Sequence, residues 1–591
     1  MTDDSHPISV DSNNCDSSNL VELRESSQGR VKTALILILL AVPWIAAHLV
    51  LKNDVIAAPH NDDWLYARSV QVLADDGRYQ HVTQHGKLAA SVVSHVGWGW
   101  LFTVNEFSYA GLHRSQAVAG WLVCCFLFLL ARKLDSDTGP ALVAAAALLV
   151  NPMFWGHTFT FMTDITALMY MSAALLCFVS SRNLQRISYL IAGSVLAALA
   201  LWSRQTHVLV ILVPLVVLMF RRNDFSLRQI GLRVGAITCI PVIAWAVFEF
   251  GLLVPGDQQR ASIISVKAWD VARAKQTGIY LYGLVLLLGM LLLPLAALSV
   301  AKIRNRSEIG IRVNWLFAGA ALLGPLAILI WTGGRGVITQ SVGYFLQNAH
   351  FGPVLFADVP HADGSWSYLG DVKWTPLVWQ VITVLSILSV ASVAACAIVK
   401  SPSDEQRLEV PRERHHWRFG LIVLMGVETL FMVTMVTNIV DRYWLVLFVP
   451  VLLWVVTSDV LRKGIHLQRS TATIMWLVLL LLGFISVAFT HDWLVFNDQR
   501  EAQMTKWLKS PGVEARDIDL GTDFNGWLRT AEDYDSLQRL GDETRSWRGH
   551  ATKALAHRGR AGWDIVGVRQ WRSLATGKMQ KIFVLEKRTT D

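Results

Sequence analysis

Asp62 and Asp63 stand side by side in N-D-D-W-L-Y-A-R, just beyond the first long apolar run. Two adjacent carboxylates followed by aromatic residues could supply a general base and a positioning acceptor for a hydroxyl, with Tyr66 as a candidate substrate contact. The plainer reading is a solvated turn in which Asp63 or Asn61 caps a helix. Asp164 opens another apolar run in H-T-F-T-F-M-T-D-I-T-A-L. There it could cap that helix, do chemistry, or both, because either role puts the carboxylate at the membrane face. Arg204, in L-W-S-R-Q-T-H, and Arg442, in V-D-R-Y-W, each sit in a very short loop between apolar runs. An arginine there can snorkel to lipid headgroups, pair with a neighbouring Asp441, or bind a phosphate through its planar fork. His207 and Tyr443 lie beside these arginines and are candidate substrate contacts. Glu249 and Glu428 fall inside apolar runs, where an ionisable group costs about 2.5–3.5 kcal/mol on insertion scales.

These residues must be positioned by membrane helices. Hydrophobic residues make up 53% of the 591 and charged residues 17%, with a mean hydropathy of +0.40, which excludes a disordered chain and an ordinary soluble enzyme. The charges are uneven: 32 of the 101 residues from 491 onward are charged, against 66 of the preceding 490. The six cysteines offer neither a disulfide framework nor a CxxC metal site. P-loop, Rossmann glycine, HExxH and GxSxG patterns are lacking, which removes the main support for ATP-driven, nicotinamide and metalloprotease chemistry. The net charge of +8 calls for no nucleic-acid partner, because the basic residues cluster at helix ends.

A span needs about 20 apolar residues. About thirteen candidates centre on residues 41, 123, 148, 170, 195, 213, 243, 289, 322, 387, 427, 450 and 482, and the apolar stretch 88–102 reads as lying on the membrane surface. With the N-terminus in the cytoplasm and alternation thereafter, every inner end is basic: Arg132/Lys133, Arg182/Arg186, Arg221/Arg222, Lys302/Arg304, Lys400/Arg407 and Arg462/Lys463. The sequence therefore predicts an α-helical polytopic bundle of about 13 transmembrane helices with a small mixed α/β extracytoplasmic C-terminal domain. Residues 1–30 form a disordered cytoplasmic tail, 31–490 the bundle with outer loops at 52–112 and 332–374, and 491–591 the outer domain, on the periplasmic or extracellular side of a cell inner (plasma) membrane. Trp64, Trp98, Trp100, Trp155 and Trp202 would belong to the outer aromatic belt. A helix over 497–509 and a strand over 581–586 are expected in the outer domain.

The order and membrane side of four segments, N-D-D-W-L-Y-A, F-M-T-D-I-T-A-L, L-W-S-R-Q-T-H and V-D-R-Y-W-L-V-L-F-V-P, resemble the GT-C superfamily. Within it, the chain resembles glycosyltransferase family 39, the protein O-mannosyltransferases and lipid A aminoarabinose transferases, over about residues 33–490. The resemblance implies inverting transfer of a sugar from a polyprenyl-phosphate donor on the outer face, to a glycan, lipid or protein hydroxyl. It implies Asp62 as base, Asp63 in place of a frequent Glu, Asp164 as the second acidic position, and Arg204 and Arg442 near the donor phosphate. The D-D pair leaves open which carboxylate is the base. The C-terminal domain does not resemble the β-trefoil domain of the protein mannosyltransferases. No structural metal is expected as obligatory, although a divalent cation could bridge Asp62 or Asp63 and the donor phosphate. Two other readings stand beside this one. A transporter or lipid flippase would find support in Glu249 and Glu428, and a non-catalytic scaffold would present the C-terminal domain, where T-D-F-N-G-W (Asp523, Asn525, Trp527) could contact an acceptor.

Overall fold

The computed structural model describes residues 29–50, 59, 63–79, 87–88, 92–250, 259–260, 270–304, 319, 359–360, 366–367, 376–398, 412–435, 441–459, 461, 469–520, 522–528, 551–556 and 559–588. Two compact units are present, Met1–Val50 and Leu51–Asp591. The first holds α1 (Gly29–Val50), whose Val31, Leu35, Ile38 and Leu49 are exposed, as suits a helix bathed in lipid.

The second unit begins with α2 (Asp63–Asp76) and α3 (Val93–Trp100), followed by the long α4 (Tyr109–Lys133). Ser108 starts α4 by accepting a hydrogen bond from the Gly111 amide, which satisfies one of the amides that a helix start leaves unpaired. Next come α5 (Thr138–Leu149), α6 (Pro152–His157) and α7 (Thr163–Ser180). The Asn151 side chain accepts from the Met153 and Phe154 amides, and Pro152 fills the first position of α6, where a missing N–H costs nothing. After α8 (Ile187–Leu201), a 3₁₀ turn (Gln205–Ile211) leads into α9 (Leu212–Phe220), and α10 (Leu227–Glu249) follows a Ser226/Gln229 capping box. The remaining helices are α11 (Val271–Arg304), α12 (Pro376–Ile398), α13 (Arg412–Met435), a 3₁₀ turn (Asp441–Leu447) running into α14 (Phe448–Val456), α15 (Arg469–Leu508) and α16 (Thr522–Leu528).

Among the described residues seven helices are long and apolar enough to cross a membrane, and five shorter apolar helices accompany them. The chain is a multi-pass membrane protein. Twelve of the thirteen expected centres fall on these helices, and the one at 322 lies outside the described residues. The spans of α4 and α7 are each 67% buried, against 22% for α10, so α4 and α7 form the middle of the unit and α10 its rim. Gly289 of α11 lies so close to α12 that an added Cβ would collide with the Ser386 carbonyl oxygen. Glycine permits this approach, and a side chain would force the pair apart.

The helix α15 has 40 residues, about 60 Å at 1.5 Å per residue, twice the thickness of a hydrocarbon core. It passes residue 490 without a break, and its far end supplies Trp493, Phe496 and Trp507 to the core of the C-terminal sheet. That sheet comprises β1 (Ile518–Asp519), β2 (Lys553–Ala556), β3 (Trp563–Arg572) and β4 (Met579–Lys587) in the order β1-β2-β4-β3. The first pair is parallel and the others are antiparallel. Asp492 joins helix to sheet. Its buried carboxylate accepts from the Ser573 hydroxyl and from the amides of Leu574 at 2.7 Å and Ala575 at 3.0 Å, in the turn between β3 and β4.

Two expectations change. The stretch 88–102 was expected on the membrane surface, yet α3 buries Ser94, His95, Val96 and Gly99 against the bundle, because its small and polar face fits between α4 and α7. Trp64 and Trp155 are 2% and 3% exposed and sit inside the protein rather than in a lipid-facing belt.

Candidate active site

The centre of the site is Asp164, second residue of α7 and 2% exposed. The helix cap is Met162 and no side chain caps it, so the Asp164 carboxylate is turned elsewhere. It accepts a hydrogen bond from Arg204 Nη1 on one oxygen, and Arg442 Nε lies 4.0 Å from the other. Each arginine is placed by a short break in a span. Arg204 has extended backbone between α8 and its 3₁₀ turn, and Arg442 is the second residue of the 3₁₀ turn before α14. Both guanidiniums face the Tyr443 ring, Arg204 at 4.3 Å and Arg442 at 5.9 Å from its centre, contacts that hold cations in a partly dry setting. The bundle thus gathers Asp164, Arg204, Arg442 and Tyr443 into one cluster. The side chain of Asp441 lies outside the described residues.

Two buried histidines border the cluster. His157, on α6, is held near pKa 4 by burial. The Asp164 carboxylate opposes that shift, and the two arginines reinforce it, so the imidazole is neutral at pH 7. His207 shares a 3.3 Å contact between Nδ1 and the Thr206 hydroxyl, while its buried Nε2 makes no hydrogen bond. Asp164 Oδ2 is likewise buried without a hydrogen bond. Buried polar atoms normally find partners, and Asp164 Oδ2 has the Arg442 guanidinium as its ionic one.

Asp62 and Asn61 lie outside the described residues. Asp63 is not in a solvated turn: it is the first residue of α2 and fully buried. Its Oδ2 is 3.2 Å from His113 Nε2, which donates to it, and accepts from the Phe161 amide at 3.4 Å. Phe161 lies in the turn just ahead of Asp164, so the two acidic positions are joined through that turn. The Phe161 carbonyl accepts from His95 Nε2 at 3.3 Å, and its ring stacks on the His95 ring with 4.1 Å between centres. A carbonyl only accepts, so His95 carries its proton on Nε2 and its Nδ1 accepts from the Thr166 hydroxyl at 3.0 Å. Gln116 donates to that hydroxyl oxygen at 2.9 Å. Burial holds His95 at a pKa of about 3, which keeps this tautomer neutral. Tyr66 packs edge-on against His95 at 5.4 Å.

His113, His95, Gln116 and Thr166 were not singled out in the sequence. His113 and Gln116 lie within the long α4 and His95 in a stretch of uncertain class, all three outside the quoted segments, whereas Thr166 lies in F-M-T-D-I-T-A-L two residues after Asp164. One signal was present: a polar residue buried in an apolar run needs a partner. Glu249 is exposed at the end of α10, whereas Glu428 is fully buried in α13 and neither of its oxygens makes a hydrogen bond. Among the described residues no three His, Cys, Asp or Glu side chains group in a way that could hold a metal ion.

Residues 100–247, which contain His113, His157, Asp164, Arg204 and His207, match the family model described as dolichyl-phosphate-mannose-protein mannosyltransferase. Over that segment the chain resembles a GT-C glycosyltransferase. No curated protein matches. Among solved structures, two crystal structures of ArnT from Cupriavidus metallidurans are similar. The form bound to undecaprenyl phosphate has 13% identity and a TM-score of 0.39, covering 93% of this chain and 97% of ArnT. The apo form gives the same identity and TM-score, covering 95% and 98%.

Proposed function

We propose that the protein is a membrane glycosyltransferase that moves a sugar from a polyprenyl-phosphate donor to a hydroxyl acceptor on the outer membrane face. One observation carries this reading: Asp164 is flanked, one oxygen each, by two arginines delivered from separate short hairpins. A departing phosphate needs positive charge aimed at it, and guanidiniums match its geometry. Arg204 and Arg442 are the residues for that role, with His207 and Tyr443 alongside. The family match over residues 100–247 supports the same reaction class.

The reaction follows from the groups. A carboxylate takes the proton of the acceptor hydroxyl, the acceptor oxygen bonds to the anomeric carbon, and the bond from that carbon to the phosphate oxygen breaks with inversion. Asp63 Oδ2 is engaged by His113 and the Phe161 amide, so we assign the base to Asp62 and a positioning role to Asp63. The arginines supply the positive charge at the phosphate, and we propose that no metal ion is obligatory. Transfer should then persist in EDTA-treated membranes, and a loss that added Mg²⁺ or Mn²⁺ restores would overturn this point.

The test of the whole reading is a membrane assay with radiolabelled polyprenyl-phosphate sugars, comparing wild type with Asp62→Asn. Loss of a general base lowers rates by about 10²- to 10⁴-fold. Wild-type rates in the variant would discard the assigned base. The buried Glu428, with no hydrogen bond in mid-bundle, is the observation that favours transport instead. Flux of a lipid or solute in proteoliposomes, with no sugar transfer from any donor, would establish that alternative.

A further inference from the structure

Trp527 belongs to α16 in the C-terminal domain, more than 400 residues from the acidic segment, yet it packs into the same hydrophobic cluster as Ala67, Val70, Tyr109 and Phe161. Its ring stacks on Phe107 with 5.7 Å between centres and meets Tyr109 edge-on at 4.9 Å. The Arg68 guanidinium lies 4.1 Å over the same ring, and Arg68 Nη2 donates to the Trp527 carbonyl at 2.5 Å. Two routes lead from this tryptophan to Asp63. Arg68 lies on α2, five residues after Asp63 on the same helix. Tyr109 faces the His113 ring at 5.9 Å, and His113 holds the Asp63 carboxylate.

We propose that Trp527 is a positioning residue by which the C-terminal domain holds α2, and with it Asp63, in catalytic register. The proposal rests on the transferase reading for its kinetic consequence, but not for its structural one. An isolated indole in a surface helix would stay solvated. Here it is gripped from three sides by residues of the bundle, two of which also bear on Asp63. The α2 helix has polar residues at Arg68, Gln71, Asp75 and Asp76, and α16 covers part of it. The C-terminal domain therefore completes the first acidic element.

The experiment uses the full chain in nanodiscs and compares wild type, Trp527→Ala and Trp527→Phe. Hydrogen exchange over residues 63–76 should rise in Trp527→Ala and return toward wild type in Trp527→Phe, which keeps a ring on Phe107. In the transfer assay, Trp527→Ala should lower kcat by about 10- to 100-fold, as misplacement of a reacting group does. KM for the donor should stay within about twofold, because the groups at Asp164 are untouched, and Phe should rescue. Arg68→Ala should raise exchange over the same peptides, and serves if Trp527→Ala does not fold. Unchanged exchange over 63–76 in both alanine variants overturns the coupling. Raised exchange with unchanged kcat overturns the catalytic register. If wild type transfers no sugar from any donor, the transferase reading fails while the exchange comparison still decides the coupling.

Discussion

At Asp164, chemistry and structure depend on the same contacts. Replacing it with Asn keeps the shape but removes the charge shared by Arg204 and Arg442, and should lower transfer by about 10²- to 10³-fold. Expression and thermal stability should show whether the loss is catalytic or structural. Arg204→Lys should lose most of that amount too. Lysine keeps the charge, but it lacks the planar fork that reaches Asp164 while stacking on Tyr443. Transfer by Arg204→Lys at wild-type rate would show that a point charge is enough. The buried histidines give a pH prediction. Folding lowers the pKa of His157 to about 4 and of His95 to about 3, from an unfolded value near 6.5. Above pH 6.5 both states are neutral at these sites. Below it the unfolded chain binds protons that the folded chain refuses, so stability falls as pH falls, by about 2 kcal/mol per histidine between pH 6.5 and 5. The unfolding midpoint in detergent should drop over that range, and less steeply in His157→Asn. An equal slope in both proteins would contradict the buried, neutral assignment.

At the scale of elements, the site depends on how closely α3, α4 and α7 approach one another. Gly99 on α3 has the edge of the Phe161 ring, at Cζ and Cε2, where its Cβ would be. In Gly99→Ala that ring must move, and it is fixed by its stack on His95, its amide on Asp63 and its carbonyl on His95. Overpacking of this kind costs about 1–3 kcal/mol. It should also reduce transfer, because the ring belongs to the turn that leads to Asp164. Gly97→Ala is the control: nothing lies within 4 Å of its added Cβ, so transfer should be unchanged and stability should rise by about 0.5–1 kcal/mol, the helix preference of Ala over Gly. This scale also shows why some features were readable in the sequence and others were not. Arg204 and Arg442 stood out because a charge in a tight loop between apolar runs breaks the local pattern. Asp164 stood out as a carboxylate at a span boundary. His113, Gln116 and His95 act through partners 50 to 71 residues away, across helices whose rotation about their axes the hydropathy profile does not fix. The solvated-turn reading of Asp63 fails for the same reason: its burial comes from His113 and Phe161, which the local sequence does not contain.

For the whole molecule, α15 runs without a break from the bundle into the core of the C-terminal domain. The long helix binds sidedness to function. Asp492 fastens the β3–β4 turn to α15, and Trp527 reaches back to α2, so the C-terminal domain must share a membrane face with the residues it touches. With the proposed donor used on the outer face, that domain is expected outside, and the basic span ends of the sequence predict Cys15 inside. The sequence supplies the probes. Cys15 lies in the tail, and Lys509, exposed just beyond the end of α15, can be made Lys509→Cys. In intact cells a membrane-impermeant maleimide should label Lys509→Cys at once. It should reach Cys15 only after permeabilisation, with Cys15→Ser as the background control. Labelling of Cys15 first would invert the protein and place the Asp164 cluster on the cytoplasmic side. Nucleotide-activated sugars are available there, and the argument for a lipid-borne donor would lose its basis.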